Sequence, residues 1–355
     1  MKRAFLILMA IILAAAAACG QNESEQKPIP EATAAPGATA ADTPALAATP
    51  APESAPPPPS PSPSPSVHIS HTTGLPFSGE YKPVLVDIEN SPAARPQTGL
   101  QTADVVYEVP IEGGVTRFVC VFSDNIPEMV MPVRSGREPF LHIQHEWDAI
   151  FMHYGGSPGS ADYTFYGSKL HDKIKIDIDG IHGWKKYFKR NKDEASVHSV
   201  MAYPKKAQQL YNYSPQPLHW QFDSNISYSG ESVSDINLRM CSNKKNFVTY
   251  TYDPANDVYL RSMGEKAFVS AETGKQVSVK NIIVQYSTYK VKGSAHYKVW
   301  AMVGKGKADI YIGGVLVKGS WEKKSEDSET VYYDDKGNQI ILRPGNTWIE
   351  ICPEK

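Results

Sequence analysis

Residues 84–123 read VLVDIENSPAARPQTGLQTADVVYEVPIEGGVTRFVCVFS, and three short apolar runs in this stretch decide the fold. Val84–Ile88, Val105–Ile111 and Thr116–Ser123 are rich in Val, Ile, Phe and Tyr and are bounded by Gly, Pro, Asn or Asp, the pattern of β-strands. A fourth run, Ala149–Tyr154, has the same character. Between the third and fourth, REPFLHIQHEWDA (137–149) places Phe140, Leu141, Ile143 and Trp147 near helical spacing. PKKAQQLY (204–211) reads as a second short helix with Pro204 in its first turn. Strands interleaved with helices predict a mixed α/β domain over 67–220. It ends in YNYSPQPLHWQF (211–222), where Pro215 and Pro217 break regular structure.

Further along, alternating strand-like runs dominate: FVTYTYD, VYLRSM, NIIVQYST, HYKVWAMV, ADIYIGG, VLVKGSWEK, TVYYDD, QIILRPG and TWIEIC. Turn signals such as Gly313-Gly314 and Asp335-Lys336-Gly337-Asn338 separate them, predicting a β-rich, mostly antiparallel domain over 221–355. The expected class is therefore α+β.

The N-terminal end differs in kind. Lys2 and Arg3 precede an apolar run, Ala4 to Ala18, too short to span a bilayer comfortably and suited to a signal-peptide core. Ala16-Ala17-Ala18-Cys19 resembles a bacterial lipobox, with Ala16 where Leu is usual. Residues 1–18 are thus expected to be a lipoprotein leader. Cleavage before Cys19 lets its sulfur take a diacylglycerol and its amine an acyl chain such as palmitate, a multi-chain anchor that holds firmly. The competing reading is an ordinary secretory peptide with Cys19 incidental. Residues 19–66 follow as a linker: 13 of the 28 prolines lie between Gln21 and Ser66, without one aromatic residue, so no core can form there. In polyproline conformation such a tether reaches at most about 140 Å.

The formal net charge of −2 resolves into +2 at the leader, −4 in the linker and zero over 67–355, which argues against nucleic acid as a partner. Cys120 and Cys352 lie in apolar strand-like contexts and, with Cys241, read as free thiols rather than a disulfide framework. No GxSxG, SxxK, GxxxxGK or dinucleotide fingerprint occurs. His142 and His145 stand three apart without a third ligand, so they read as a surface pair; no metal and no cofactor are expected.

The densest polar chemistry lies within 87–157. Arg95 and Gln97 sit in a Pro/Gly turn, and Glu108 is mid-strand, where a carboxylate is costly unless paired. Glu112 precedes Gly113-Gly114, a turn that leads to Arg117. Arg134 and Arg137 bracket Ser135-Gly136, and His153 ends the fourth run. Gly155-Gly156-Ser157-Pro158 opens a loop whose backbone N–H groups suit an anion. His198, in SVHSV, reads as a site member or a core filler.

The segments DIENSPAARPQTGLQTADVVYEV, EGGVTRF, MPVRSGREPF, HYGGSPGSAD and the late LRPGNTWIEICP together resemble the YerB family of bacterial lipoproteins, a two-module family of unknown function. The resemblance covers nearly all of 75–355 and implies a lipid-anchored protein of the cell envelope, on the extracytoplasmic face of the membrane. It implies no chemistry. Two readings of the residues stand. In the first, Arg95, Gln97, Arg117, Arg134, Ser135, Arg137, Gly155, Gly156 and Ser157 bind a polar wall ligand such as peptidoglycan, while the β-rich module docks an envelope protein. In the second, the protein cleaves peptidoglycan, with Glu112 or Glu108 as general acid and His153 assisting. Each charged residue also has a bland counterpart: Glu108 or Glu112 paired with Arg117 or Arg134 to fix strand order.

Overall fold

The computed structural model describes residues 67–354, so the leader, Cys19 and the linker expected over 1–66 lie outside the described residues. Strands β1 (Val84–Glu89), β2 (Val105–Pro110) and β3 (Thr116–Phe122) form where the apolar runs place them. All three are buried along their whole length, as strands covered on both faces must be. Helix α1 (Glu138–Trp147) leads to β4 (Ile150–His153), and β5 is Asp177–Asp179. Helix α2 is Pro204–Gln208, shorter than its sequence pattern predicts. Then follow β6 (Glu231–Ser232), β7 (Asp235–Leu238), β8 (Val248–Asp253), β9 (Val258–Met263), β10 (Lys266–Ala267) and β11 (Ser278–Val279). Next come β12 (Asn281–Ser287), β13 (Tyr289–Lys292), β14 (Tyr297–Trp300) and β15 (Gly304–Ile312). The last three used here are β16 (Val315–Lys323), β17 (Thr330–Asp334) and β18 (Thr347–Pro353).

The protein is mostly β, with few helices. An 11-stranded sheet runs β6-β16-β15-β12-β18-β2-β3-β1-β4-β5, with β17 added on β16. Both expected modules contribute to it. The meander is antiparallel through β15, β16 and β17, as expected. Strand β18 departs from the expectation: it enters parallel to β12 on one side and parallel to β2 on the other. A meander reading joins neighbours in sequence, and β18 instead finds its partners far upstream. Buried Trp348, Ile349 and Ile351 on β18 each contribute about 1.5–3 kcal/mol of burial, enough to outweigh the closure of a long loop.

The sheet has a core on each face, because alternate residues of each strand point opposite ways. Val84, Val86 and Ile88 join one core with the five-stranded sheet β7–β11 and with Ala202 and Ala207. Leu85, Val119 and Val121 join the other, under Phe140, Leu141, Ile143 and Trp147 of α1. Helix α1 is itself almost wholly buried. The surface pair expected at His142 and His145 is therefore corrected, since their side chains are only 10% and 8% exposed, and at His142 the cause is plain. That ring is buried between Glu138, 3.2 Å away, and Glu326, because the 323–330 turn folds over the helix. His145 binds the Leu170 carbonyl at 2.8 Å. Cys120, Cys241 and Cys352 are buried, and none of them forms a disulfide among the described residues. Among the described residues no helix is long and apolar enough to cross a membrane.

Candidate ligand site

The polar residues of 87–157 are brought to neighbouring positions and then divided among separate partners. Glu108 is fully buried, and its partner is neither Arg117 nor Arg134 but Arg261 on β9, itself fully buried. The guanidinium also donates to Glu350 at 3.1 Å and to Tyr250, and lies 4.6 Å from the Trp348 ring centre. Glu350 stands beside Glu108 in the β18–β2 register. Burial and the Glu108 charge push the Glu350 carboxyl up to about 8, so at neutral pH it keeps its proton. Asn90 at 3.0 Å and Thr116 also donate to Glu108. This network lies between the large and small sheets and is sealed from solvent.

Glu112 pairs with Arg137, not Arg134, which accepts the notion of an ion pair while changing its partner. Burial works to raise the Glu112 carboxyl, but the Arg137 hydrogen bonds and charge hold it below the usual value. Arg134 instead donates to the Val197 carbonyl at 3.0 Å and stands 3.4 Å from Glu89, which also meets His198 at 2.9 Å. His198 thus belongs to a polar cluster rather than to the core. Arg117 is buried and donates to the Ser135 carbonyl. Arg95 is held by the Asn90 and Asn246 side chains, and Gln97 donates to the Glu89 carbonyl at 2.8 Å. Ser135 donates to the Tyr154 carbonyl at 3.0 Å.

The Gly155-Gly156-Ser157 loop is not an open anion cradle. Gly155 N donates to Asp179 at 2.9 Å, Ser157 N donates to the Gly136 carbonyl, and Ser157 Oγ accepts from Phe165 N. Gly136 and Gly156 pair across the Phe165 ring, where an added Cβ would come within 2.4 and 2.3 Å of it. Those glycines are needed for close packing.

Phe165 centres a cluster of rings: His153 at 4.6 Å, His171 at 4.9 Å and Tyr166 at 5.3 Å. His153, at the carboxyl end of β4, is fully buried; one ring nitrogen donates to the Gly155 carbonyl at 2.7 Å and the other to Asp177 at 2.6 Å. Burial disfavours its charge, but the Asp177 bond and the nearby Asp179 and Asp87 carboxyls push it up to about 9. It is an imidazolium with both nitrogens engaged. Asp177 answers it: burial works to raise that carboxyl, yet His153 and His171 hold it far below the usual range. Asp87, next to this group on β1, is fully buried with no hydrogen-bond partner among the described residues. Burial pushes it up to about 7 against the pull of His153 and Arg117.

Outward from His153 the cluster opens. Tyr166, His171, Asp177, Asp179, His182 and Trp184 line a depression of about 390 Å3. Besides the Gly155 N–H, Asp179 accepts from Tyr166 Oη at 2.6 Å, His182 Nδ1 at 2.7 Å and Ile181 N at 2.8 Å, so four donors fix its position. Burial opposes its charge, but His153 and these donors keep it ionised. The His182 side chain is 65% exposed, with Nε2 left without a partner among the described residues. A second recess, of about 250 Å3, holds Arg134, Ser135, Tyr154, Ile181 and Arg190. The two recesses meet at Ile181 and His182. Among the described residues no group of three or more His, Cys, Asp or Glu is arranged to hold a metal ion. Sequence reading found His153 and missed its acidic partners; the DIDGIH run (177–182), with two aspartates and a histidine around a Gly turn, carried the signal.

Strands β1, β4 and β5 run parallel and end in Glu89, His153 and Asp179, at the carboxyl side where open α/β sheets bind ligands, and two covalently continuous modules share that sheet. This is a two-module architecture, and both modules match one family: residues 72–216 match the N-terminal domain and residues 236–349 the C-terminal domain of DUF3048, described as a protein of unknown function. The chain belongs to the DUF3048 family. Within it, the chain is 32% identical over 283 residues to YerB of Bacillus subtilis (strain 168), a protein provisionally named a lipoprotein, covering 78% of this chain and 82% of that one. The crystal structure of Bacillus subtilis YerB superposes with a TM-score of 0.69 at 30% identity, covering 80% of this chain and 96% of that chain.

Proposed function

We propose that the protein is a lipoprotein anchored through Cys19 on the extracytoplasmic face of the membrane, and that its N-terminal module binds a polar wall ligand. The observation that carries the reading is the depression under Tyr166 and Trp184, floored by two ionised, rigidly held aspartates. Fixed carboxylates accept from hydroxyl and amide groups, and aromatic walls cover an apolar ring face, a combination suited to a glycan strand. Arg134 and Ser135 in the adjoining recess suit an acidic group on the same ligand. The name of the YerB relative supports the anchor.

Binding is favoured over cleavage by the state of the carboxyls. A general acid needs a raised pKa and access to substrate. Glu112 is held down by Arg137, and Glu108 and His153 are sealed. The test is retention on purified peptidoglycan of the parent and of His171→Ala/His182→Ala. A loss of at least about ten-fold in the variant is expected, and His182→Ala alone, whose side chain is 65% exposed, should lose retention at unchanged melting temperature, whereas His171 is 21% exposed and paired with Asp177. Equal retention, or muropeptides released by the parent, overturns the reading. For the anchor, Cys19→Ala should abolish palmitate labelling and membrane association.

A further inference from the structure

From Tyr289 to Lys307 the sequence holds five lysines, Lys290, Lys292, Lys298, Lys305 and Lys307, and no acidic residue, within a folded region of zero formal charge. Strands β13 and β14 in this run pair only with each other and form a ribbon off the main sheet. Its root is fixed: Trp300 Nε1 donates to the Pro110 carbonyl at 2.9 Å, and the Tyr289 and Trp300 rings lie 4.7 Å apart. Beyond that, every residue from Thr288 to His296 is exposed. Alternation puts Lys290 and Lys292 on one face of the ribbon and Tyr289 and Val291, 39% and 52% exposed, on the other with Lys298.

We propose that this ribbon docks on the anionic face of a lipid bilayer. Standing edge-on, the ribbon brings Lys290 and Lys292 from one face and Tyr289 and Val291 from the other to the headgroup boundary, where the cations meet lipid phosphates and the apolar groups sit beneath them. The run itself carries no carboxylate to oppose this attraction. The proposal rests on the anchored reading for its setting: a flexible tether to a lipid anchor keeps the ribbon near the membrane at high effective concentration, so a weak attraction suffices.

The test uses residues 67–354, which lie within one compact unit. Co-sedimentation is measured with vesicles of phosphatidylglycerol and phosphatidylcholine and with phosphatidylcholine alone. Binding to the anionic vesicles alone, released by high salt, is expected. Each lysine at such a surface is worth about five-fold, so Lys290→Gln/Lys292→Gln should cut partitioning about 25-fold without shifting the melting temperature. Equal partitioning of parent and variant, equal binding to both vesicle types, no binding to either, or binding to soluble polyphosphate in place of vesicles overturns it. Fractionation of Cys19→Ala reports on the anchor separately, so the two failures are distinguishable.

Discussion

Replacing Arg261 with methionine removes the cation that faces Glu108 and Glu350 inside a site with no solvent. The variant loses hydrogen bonds to Glu108, Glu350 and Tyr250, and the guanidinium stacked on Trp348. Removing one partner of a buried pair costs about 3–5 kcal/mol, far more than an exposed pair is worth. At about 2–4 °C per kcal/mol for a unit of this size, the melting temperature should fall by roughly 6–20 °C. The loss should also depend on pH. Glu350 already titrates near 8 in the parent, against an ordinary value of 4.5, because burial and Glu108 disfavour its charge. Arg261 opposes that shift, so without it the Glu350 carboxyl is pushed higher still. An acid whose folded pKa lies above its unfolded value contributes stability at low pH that is lost as pH rises through the folded value. The deficit of the variant should therefore be greatest at pH 8 and smaller at pH 5, where Glu350 keeps its proton. Urea unfolding followed by tryptophan fluorescence at the two pH values measures it. A variant within about 1 kcal/mol of the parent at pH 8, or a deficit that grows toward pH 5, refutes the reasoning.

Two further outcomes follow from the same burial arguments. Asp87 titrates near 7 rather than 3.8, so its ionisation should cost the parent stability progressively between about pH 4 and pH 7. Asp87→Asn should gain on the parent by about 1.4 kcal/mol per pH unit across that window, read by denaturant unfolding; a constant difference would show that Asp87 is not buried as described. Glu112→Gln, at a pair that keeps some solvent access and retains an acceptor for Arg137, should stay within about 1 kcal/mol of the parent, whereas Glu108→Ala at a fully buried pair should lose several, and equal losses would contradict the division of the two carboxylates.

The strands of 84–123 and helix α1 were legible because their apolar spacing matches the period of the element that forms. Glu108 was legible as a carboxylate in need of a partner. Its partner was not, since Arg261 lies 153 residues away and comes from a different sheet. The pairing of Glu112 with Arg137 rather than Arg134 depends on how the turn before α1 aims two arginines only three residues apart, which spacing does not resolve. Asp177, Asp179 and His182 escaped notice because they occupy a three-residue strand and a turn, with no period to mark one face. The Gly155-Gly156 loop misled for a physical reason: a glycine that admits a ligand and one that admits Phe165 look the same in sequence.

Strand β18 has an implication for how the chain reaches this state. Its neighbours β12 and β2 are both complete long before it in the order of synthesis, and β2 waits about 240 residues for its partner. Until β18 arrives, each of those strands presents a row of unpaired backbone amides and carbonyls, the kind of edge that recruits foreign strands. Contacts this distant in sequence also form slowly. A chain broken before Thr347 would keep both halves of its cores yet carry two sticky margins in place of one continuous sheet. Aggregation or proteolysis of such fragments then works as an inspection of whether synthesis reached β18.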